Sequence, residues 1–155
     1  MVATACLYRS ARIVAEATTI LGRSRDGEHF QALASRTRAA FNQHFVAPDG
    51  HIRSDCPTVY ALAIWFNLLD PLTRQRAADR LAALVADNDY RIATGFAGTP
   101  SVCDALTVTG QLDQAYRLLL QRECPSWLYP VTMGPPRCGN AGTQCCPTER
   151  STQMR

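Results

Sequence analysis

The feature that most constrains the fold of this chain is an apolar repeat with steps of three and four residues. Such steps place side chains on one face of an α-helix. The first stretch covers residues 2–22 and ends at Gly22, a residue type that favours helix C-termini. It predicts one amphipathic helix. The apolar residues at these steps are Leu7, Ile13, Val14, Ala17, Ile20 and Leu21.

A second helix is predicted over residues 28–45, with Asp26 as its N-cap. The short connection to the first helix makes the two antiparallel neighbours. The apolar pattern of this second helix runs through Phe30, Leu33, Ala34, Thr37, Phe41 and Phe45.

A second helix pair follows a loop. Residues 46–55 contain a Pro-Asp-Gly turn and lack a helical period, which indicates a loop or a short extended stretch. Residues 58–69 are apolar nearly all round, as is typical of a helix buried between layers. Asp70 and Pro71 then supply the N-cap and the first position of an amphipathic helix over residues 71–87.

The third pair completes an all-α chain of consecutive αα hairpins. Thr99 and Pro100 open a helix that Gly110 ends, and residues 111–121 form the last clear helix. Two architectures fit: a solenoid of the tetratricopeptide kind, and a toroid in which six hairpins close a ring. The loops between the pairs are unequal in length and rich in Gly, Thr and aromatic residues, which favours the toroid. Residues 1–133 are then about half of an (α/α)6 toroid.

Composition limits the partners of the chain. With 46% hydrophobic and 19% charged residues it is a globular protein, and its 155 residues suit one domain. The net charge is only +3, and the sixteen basic residues, all Arg, form no basic block, so no nucleic-acid partner is expected. No apolar run is long enough for a membrane helix, and the N-terminus lacks a signal peptide pattern, so a cytoplasmic location is expected.

The cysteines do not predict a metal site. Cys6, Cys56, Cys103 and Cys124 stand singly and are expected to be small buried hydrophobes. The tail, residues 134–155, adds three cysteines without a pair spacing or a histidine for zinc. No metal is therefore expected, and a disulfide in the tail would connect nothing identifiable. His29, His44 and His51 are expected at the surface, again without metal.

Four segments of the chain are distinctive: CLYRSARIVAEA, SDCPTVYALAIWFNLLDP, RIATGFAGTP and PSWLYPVTMG. Together, in this order, they resemble the later part of the catalytic domain of bacterial α-L-rhamnosidases. The resemblance runs from about Val2 to Gly134. It implies a six-hairpin toroid and inverting hydrolysis of terminal α-L-rhamnosides without a cofactor.

The resemblance also suggests sugar-binding residues. Trp127 and Tyr129 either stack on a pyranose ring or pack as two aromatics at a helix end. Asp55 and Asp104 are either sugar-binding carboxylates or residues of caps and solvated loops. Phe96 is expected to pack within its loop.

Inverting glycosidases need two carboxyl groups, about 6.5–9.5 Å apart, as general acid and general base. The resemblance places the acid in a hairpin before Met1. The base is the Glu of a motif of the type GATTVWERWD, which should follow directly after PVTMG. This chain instead continues GPPRCGNAGTQCC.

A reading one base out of frame accounts for the difference. In the reading frame that would encode the family's motif, each codon takes its last two bases from the first two bases of the codon for a tail residue. From Pro136 onward, each such pair of bases is preceded by a third-position base that the codons of the previous residue allow. The resulting codons translate as TTVWERWDSMLPDGTINP. At all eighteen positions, the two bases fixed by the tail residue agree with a codon of this family-like continuation. Only Arg137, Arg150 and Ser151 allowed a choice of codon box. A single base lost near Gly134 produces this tail.

The consequence for chemistry is direct. The codon for the expected base straddles Gly139 and Asn140, and Glu149 is not its counterpart. This chain is therefore expected to carry no catalytic carboxylate and no activity by itself, with residues 134–155 as a disordered, out-of-frame tail. The alternative is a helical-hairpin module that binds a partner protein. Half a ring also leaves an apolar face exposed for self-association.

Overall fold

The computed structural model describes residues 1–133, and within them the chain is helical. The all-α prediction is confirmed, and only an isolated antiparallel bridge joins Val46 to Ile52 in the predicted loop. No helix in this part of the chain is long and apolar enough to cross a membrane. The predicted out-of-frame tail lies outside the described residues. The helices are α1 (Val2–Ile20), α2 (Ser24–Phe45), α3 (Pro57–Trp65), α4 (Pro71–Asp87), α5 (Thr99–Val108), α6 (Leu112–Leu120) and α7 (Tyr129–Thr132).

The first six helices form three consecutive hairpins arranged in two layers. Helices α1, α3 and α5 make an inner row in which α3 contacts both of the others, whereas α4 and α6 contact each other in the outer layer. Because α3 has neighbours on every side, all residues from Val59 to Ile64 are buried. The predicted helix without a polar face is therefore the centre of the core.

Helix α1 exists as predicted, but its apolar face was assigned wrongly. Its buried residues are Ala5, Tyr8, Ala11 and Ala15, whereas most of the predicted apolar face is solvent-exposed. The alanines are buried because their small side chains allow close packing of α1 against the neighbouring helices. The exposed fractions on the predicted face are 48% for Leu7, 53% for Ile13, 86% for Ile20 and 71% for Leu21.

Helix α2 carries its predicted apolar pattern but begins earlier than predicted. Gly22 adopts a left-handed φ of 70°, and the Arg23 N–H donates to the Thr18 carbonyl at 2.8 Å. This sharp reversal lets α2 start at Ser24, so Asp26 is not the N-cap but lies in the first turn. There its charge still favours the positive end of the helix dipole. Ala34, Thr37 and Phe41 are buried as the pattern predicts, while Phe30, Leu33 and Phe45 are partly buried.

The connection between α3 and α4 departs from the predicted helix over residues 58–69. Helix α3 ends at Trp65, and Asn67 adopts a left-handed φ of 61°. Leu68 remains buried, and its carbonyl accepts hydrogen bonds from Arg38 and Asn42 of α2, both at 2.9 Å. Asp70 then caps α4 as predicted, because its carboxylate accepts from the next two free backbone N–H groups.

The third hairpin has the predicted bounds within a residue or two. Helix α5 begins at Thr99, and Gly110 follows it with a left-handed φ of 82°. The short helix α7 was not predicted, because its four residues are too few for a periodic pattern to appear.

Candidate functional site

Loops from separate hairpins meet at the N-terminal ends of α3 and α5, which we call the loop end of the domain. The Gly95 N–H donates to the Thr58 hydroxyl in the first turn of α3 at 3.3 Å. The Ile92 N–H donates to the Pro125 carbonyl at 2.8 Å, which ties residues 91–98 to the segment after α6. Residues 91–98 and the segment between α6 and α7 therefore lie side by side, although neither carries a helical repeat in the sequence.

The loop of residues 91–98 is fixed by buried hydroxyl groups. The Thr94 and Thr99 hydroxyl oxygens lie 2.9 Å apart, and the Thr99 hydroxyl also lies 2.9 Å from the Thr94 carbonyl. Both threonines are buried, so these bonds form away from competing water. The loop is thus held at both of its ends while Phe96, between them, is 76% exposed.

A cleft of about 500 Å³ opens at the loop end. Trp127 is half-buried against the hydrophobic core and also lines this cleft, so it is an aromatic group with a fixed position. Phe96 is not packed within its loop, which corrects the expectation from sequence. The lining residues are Phe96, Thr99, Pro100, Cys103 and Trp127.

Cys103 contributes an apolar surface rather than a nucleophile to the cleft. Burial raises the pKa of its thiol to about 11, and the neighbouring Asp104 carboxylate acts in the same direction. The thiol is therefore protonated at neutral pH and unreactive as a thiolate. None of the four single cysteines is fully buried as expected: Cys6 is exposed, and Cys56, Cys103 and Cys124 are half-buried.

Tyr129 does not line the cleft with Trp127. It begins α7 and is half-buried, and its backbone N–H donates to the Ser126 hydroxyl at 3.1 Å. Ser126 is fully buried, so this bond fixes the turn that carries both aromatics. The structure thus brings Trp127 to the cleft together with Phe96. Tyr129, two residues further along the chain, is not among the residues that line the cleft.

Asp55 lies directly before α3 and is held by two side chains that the sequence did not identify. Its two carboxylate oxygens accept hydrogen bonds from Arg80 at 3.0 and 2.7 Å, in the bidentate arrangement typical of strong Arg–carboxylate pairs. The Tyr60 hydroxyl also donates to it at 3.0 Å, and accepts from the Ile52 N–H at the same distance. Asp55 and Arg80 are 25 residues apart, a separation that carries no local sequence signal.

The Arg80 guanidinium stabilises the charged form of Asp55. Its hydrogen bonds, with a further one from Tyr60, lower the pKa of the Asp55 carboxyl from 3.8 to about 2. Burial of the half-exposed Asp55 side chain opposes this shift but does not cancel it. Asp55 is therefore a permanent negative charge near neutral pH. It can accept a hydrogen bond, but it has no proton to donate as a general acid.

Other titratable groups do not add a metal centre in this region. His29, His44 and His51 are exposed, as predicted. Within residues 1–133, no group of three or more His, Cys, Asp or Glu side chains has the geometry to hold a metal ion. Asp104 is exposed on α5.

Consecutive α-hairpins with an inner helix row and a cleft at its loop end define an arc of a helical toroid. The chain belongs to the family described as the bacterial alpha-L-rhamnosidase 6 hairpin glycosidase domain, whose model matches residues 1–137. The resemblance inferred from the sequence motifs is therefore confirmed, as is the toroid rather than the solenoid.

Relatives with known names agree with this assignment. The alpha-L-rhamnosidase of Streptomyces avermitilis is 42% identical over 134 residues, which cover 86% of this chain and 13% of that protein. The alpha-L-rhamnosidase of Formosa agariphila is 30% identical over 136 residues, covering 86% of this chain and 15% of its own length. The chain thus spans only a small part of the relatives that it matches.

Solved structures show the same architecture. The Streptomyces avermitilis alpha-L-rhamnosidase, crystallised in complex with L-rhamnose, aligns with a TM-score of 0.79 at 42% identity over 84% of this chain and 12% of that structure. The native α-L-rhamnosidase of Aspergillus terreus also aligns with a TM-score of 0.79, at 32% identity over 83% of this chain and 15% of that structure.

Proposed function

We propose that this chain is a portion of an inverting α-L-rhamnosidase catalytic domain, and that its loop end contacts the rhamnoside in a complete domain. The observation that carries the proposal is the family match over residues 1–137, which includes all three hairpins and the cleft. Hydrolysis of this kind requires two carboxyl groups and water, and no redox cofactor.

Asp55, Trp127 and Tyr129 are the proposed substrate contacts. An aromatic face suits the apolar C–H face of a pyranose, and Trp127 is held rigidly by the core while it lines the cleft. The charged Asp55 carboxylate suits a sugar hydroxyl donor, since it keeps acceptor capacity beyond its bonds to Arg80 and Tyr60. Tyr129 lies on the same turn as Trp127 and would extend the contact beyond the cleft.

The 155-residue chain by itself is proposed to be inactive. The motif with the expected general base is out of frame after Gly134, and the family match ends three residues later, which supports this account. The expected general acid has no counterpart among the 155 residues. Each such carboxyl group contributes about 10²–10⁴-fold to the rate, so losing both leaves no measurable catalysis.

The proposal is tested with two proteins and an aryl α-L-rhamnoside that releases a chromophore. We expect the purified 155-residue chain to release none above an enzyme-free blank. A chimera of the Streptomyces avermitilis relative, with the aligned segment replaced by residues 1–134 of this chain, should hydrolyse the substrate with inversion. NMR of the first-formed sugar gives its anomeric configuration.

In that chimera, Trp127→Ala should raise KM, while Trp65→Phe, outside the cleft, should leave KM unchanged. Hydrolysis by the 155-residue chain would contradict the inactivity, and a folded but inactive chimera would contradict the rhamnosidase assignment.

A second candidate function, a helical-hairpin module that binds a partner protein, is favoured by one observation. Several large apolar side chains of α1 face solvent, including Leu7, Ile13 and Ile20. Exposed apolar patches of this kind mark interfaces.

A further inference from the structure

The turn of residues 88–92, which leads from α4 into the loop of residues 91–98, contains two consecutive residues in the left-handed region. Asp89 has a φ of 51° and Tyr90 a φ of 58°, although both carry side chains. Residues other than glycine rarely adopt this conformation, and they persist in it only where surrounding groups hold them. Contacts from elsewhere in the fold must therefore stabilise this turn.

Gln121, directly after α6, supplies one of these contacts. Its side-chain NH2 group donates to the Asp89 carbonyl at 2.6 Å. Its side-chain oxygen accepts from the backbone N–H groups of Arg122 and Glu123 at 2.8 and 3.0 Å. A reversed amide would set the NH2 group against two N–H donors, so only this orientation satisfies all three bonds. The half-buried Gln121 side chain thus joins the turn to the segment between α6 and α7.

Two contacts between charged and aromatic side chains join the same region. The Arg91 guanidinium donates to the Glu123 carboxylate. Arg117, in the last turn of α6, donates to the Tyr90 hydroxyl at 3.2 Å and lies 5.5 Å from the centre of its ring. The Glu123 side chain is 70% exposed, and ion pairs at such exposure contribute little on their own. The amide of Gln121 is therefore the more specific link.

The two linked segments carry the aromatic side chains of the cleft. Phe96 follows the turn within the loop of residues 91–98, and Trp127 follows Gln121 within the segment between α6 and α7. Both rings line the cleft of about 500 Å³, whereas Gln121 does not. The position of one ring relative to the other therefore depends on how the two segments are held together.

We propose that Gln121, with the Arg91–Glu123 pair beside it, is a positioning residue that fixes Trp127 relative to Phe96 for contact with the substrate. This inference rests on the proposed function, because it concerns the cleft that contacts the rhamnoside in a complete domain. Gln121 does not line the cleft, so it acts through Trp127 and does not touch the substrate itself.

The first test measures the fluorescence of Trp127 in the full 155-residue chain. The chain has two tryptophans, so Trp65→Phe leaves Trp127 as the only one. In this background we introduce Gln121→Met, which keeps a side chain of similar length but removes all three hydrogen bonds. It should raise the quenching of Trp127 by acrylamide and shift its emission to longer wavelength, because a less firmly held indole meets more solvent.

Gln75→Met is the matched control in the same background. Gln75 is exposed on α4, and its hydrogen bond to Asp79, at 3.3 Å, stays within that helix. The control therefore also replaces a glutamine and removes a hydrogen bond, but outside the linked segments. It should leave the quenching and the emission of Trp127 unchanged.

The second test uses the chimera with the Streptomyces avermitilis relative and separates KM from kcat. Gln121→Met should raise KM and leave kcat nearly unchanged, since the relative's portion supplies the two catalytic carboxyl groups. Because Gln121 acts through Trp127, this rise in KM should disappear when Trp127→Ala is already present. A residue that only stabilises the fold would have the same effect in both backgrounds.

Far-ultraviolet circular dichroism establishes which variants fold. If Gln121→Met does not, Glu123→Gln at the exposed carboxylate takes its place, and it should change quenching and KM in the same direction. Unchanged Trp127 fluorescence in every substituted variant of the linked segments that folds, or rises in KM that add in the double variant, would overturn the proposal. A folded but inactive chimera would contradict only the proposed function, and the fluorescence of the 155-residue chain would still decide the role of Gln121.

Discussion

At the scale of single residues, the cluster around Asp55 shows how a loop carboxylate is held at one end of a helix. Asp55 has a left-handed φ of 41°, which is uncommon for a residue with a side chain. The bidentate bonds from Arg80 and the bond from Tyr60 hold it there. The cluster joins the loop before α3 to the outer helix α4, so it fixes a candidate substrate contact to the scaffold.

Asp55→Asn should lower the free energy of unfolding by about 0.5–1 kcal/mol at neutral pH, the range of exposed ion pairs with good geometry. The pKa of Asp55 is lower in the folded state, about 2 against 3.8. Its contribution is therefore complete above pH 3.8 and is lost as the pH falls towards 2. Urea unfolding of both proteins across this range measures the difference.

The control for this substitution is Asp104→Asn, because Asp104 is an exposed carboxylate on α5. It should change stability by no more than about 0.5 kcal/mol. An Asp55→Asn effect that stays constant down to pH 2 would show that Arg80 does not stabilise the charged form.

Single-residue contacts of this kind were the least predictable part of the chain. The sequence motifs pointed to Asp55 and Trp127, but not to Arg80, because its approach depends on how α4 packs beside α3. Phe96 was assigned to loop packing, since nothing local shows that two threonine hydroxyls hold the loop and leave the ring exposed. The distances that build the site are tertiary and do not follow from spacing.

At the scale of helices, existence and order were predictable, and the buried face of α1 was not. Caps such as Asp70 act through neighbouring N–H groups, so their signal is local. Helix α1 has two uncharged faces, and periodicity alone favours the one with the larger side chains. The alanine face is buried instead, because the choice depends on which helix is close enough to pack.

Gly98, directly before α5, packs closely against the first turn of α3. A Cβ atom added there would lie 2.9 Å from both the Cα and the Cγ2 of Thr58, so the first turn of α3 would have to move. Gly98→Ala should therefore destabilise the fold by about 1–3 kcal/mol, as overpacking typically does. Thermal unfolding followed by circular dichroism measures this change.

Gly95→Ala provides the comparison within the same loop. A Cβ atom at Gly95 meets nothing within 4 Å. This substitution should alter stability by no more than about 0.5 kcal/mol. Equal effects of the two substitutions would mean that the contact between Gly98 and Thr58 does not limit the packing of α3 and α5.

At the scale of the whole molecule, the chain is an arc of three hairpins from a six-hairpin family. Its inner helices form a core and its loop end forms a cleft. At one end of the arc, α1 exposes large apolar side chains. The sequence predicted the half-ring because its motifs, loops and hairpin count agreed with one another. What it could not predict is which side of α1 is buried, since that choice depends on tertiary packing rather than on local pattern.

The tail, residues 134–155, carries the sharpest prediction about the molecule as a whole. If residues 134–155 are an out-of-frame reading of the motif that holds the general base, the third codon bases are fixed as well as the first two. The codons for Gly139 and Gly142 must end in G, and those for Cys138 and Ala141 must end in T. The protein sequence does not specify these bases, so they are independent of the observation that suggested the shift.

Sequencing the gene across Gly134 and its downstream codons tests this claim most directly. We predict that the DNA, read one base out of frame after Gly134, encodes TTVWERWDSMLPDGTINP, and that one inserted base restores this motif to the reading frame of the helices. A codon for Gly139 that ends in any base other than G would remove the expected glutamate and contradict the account.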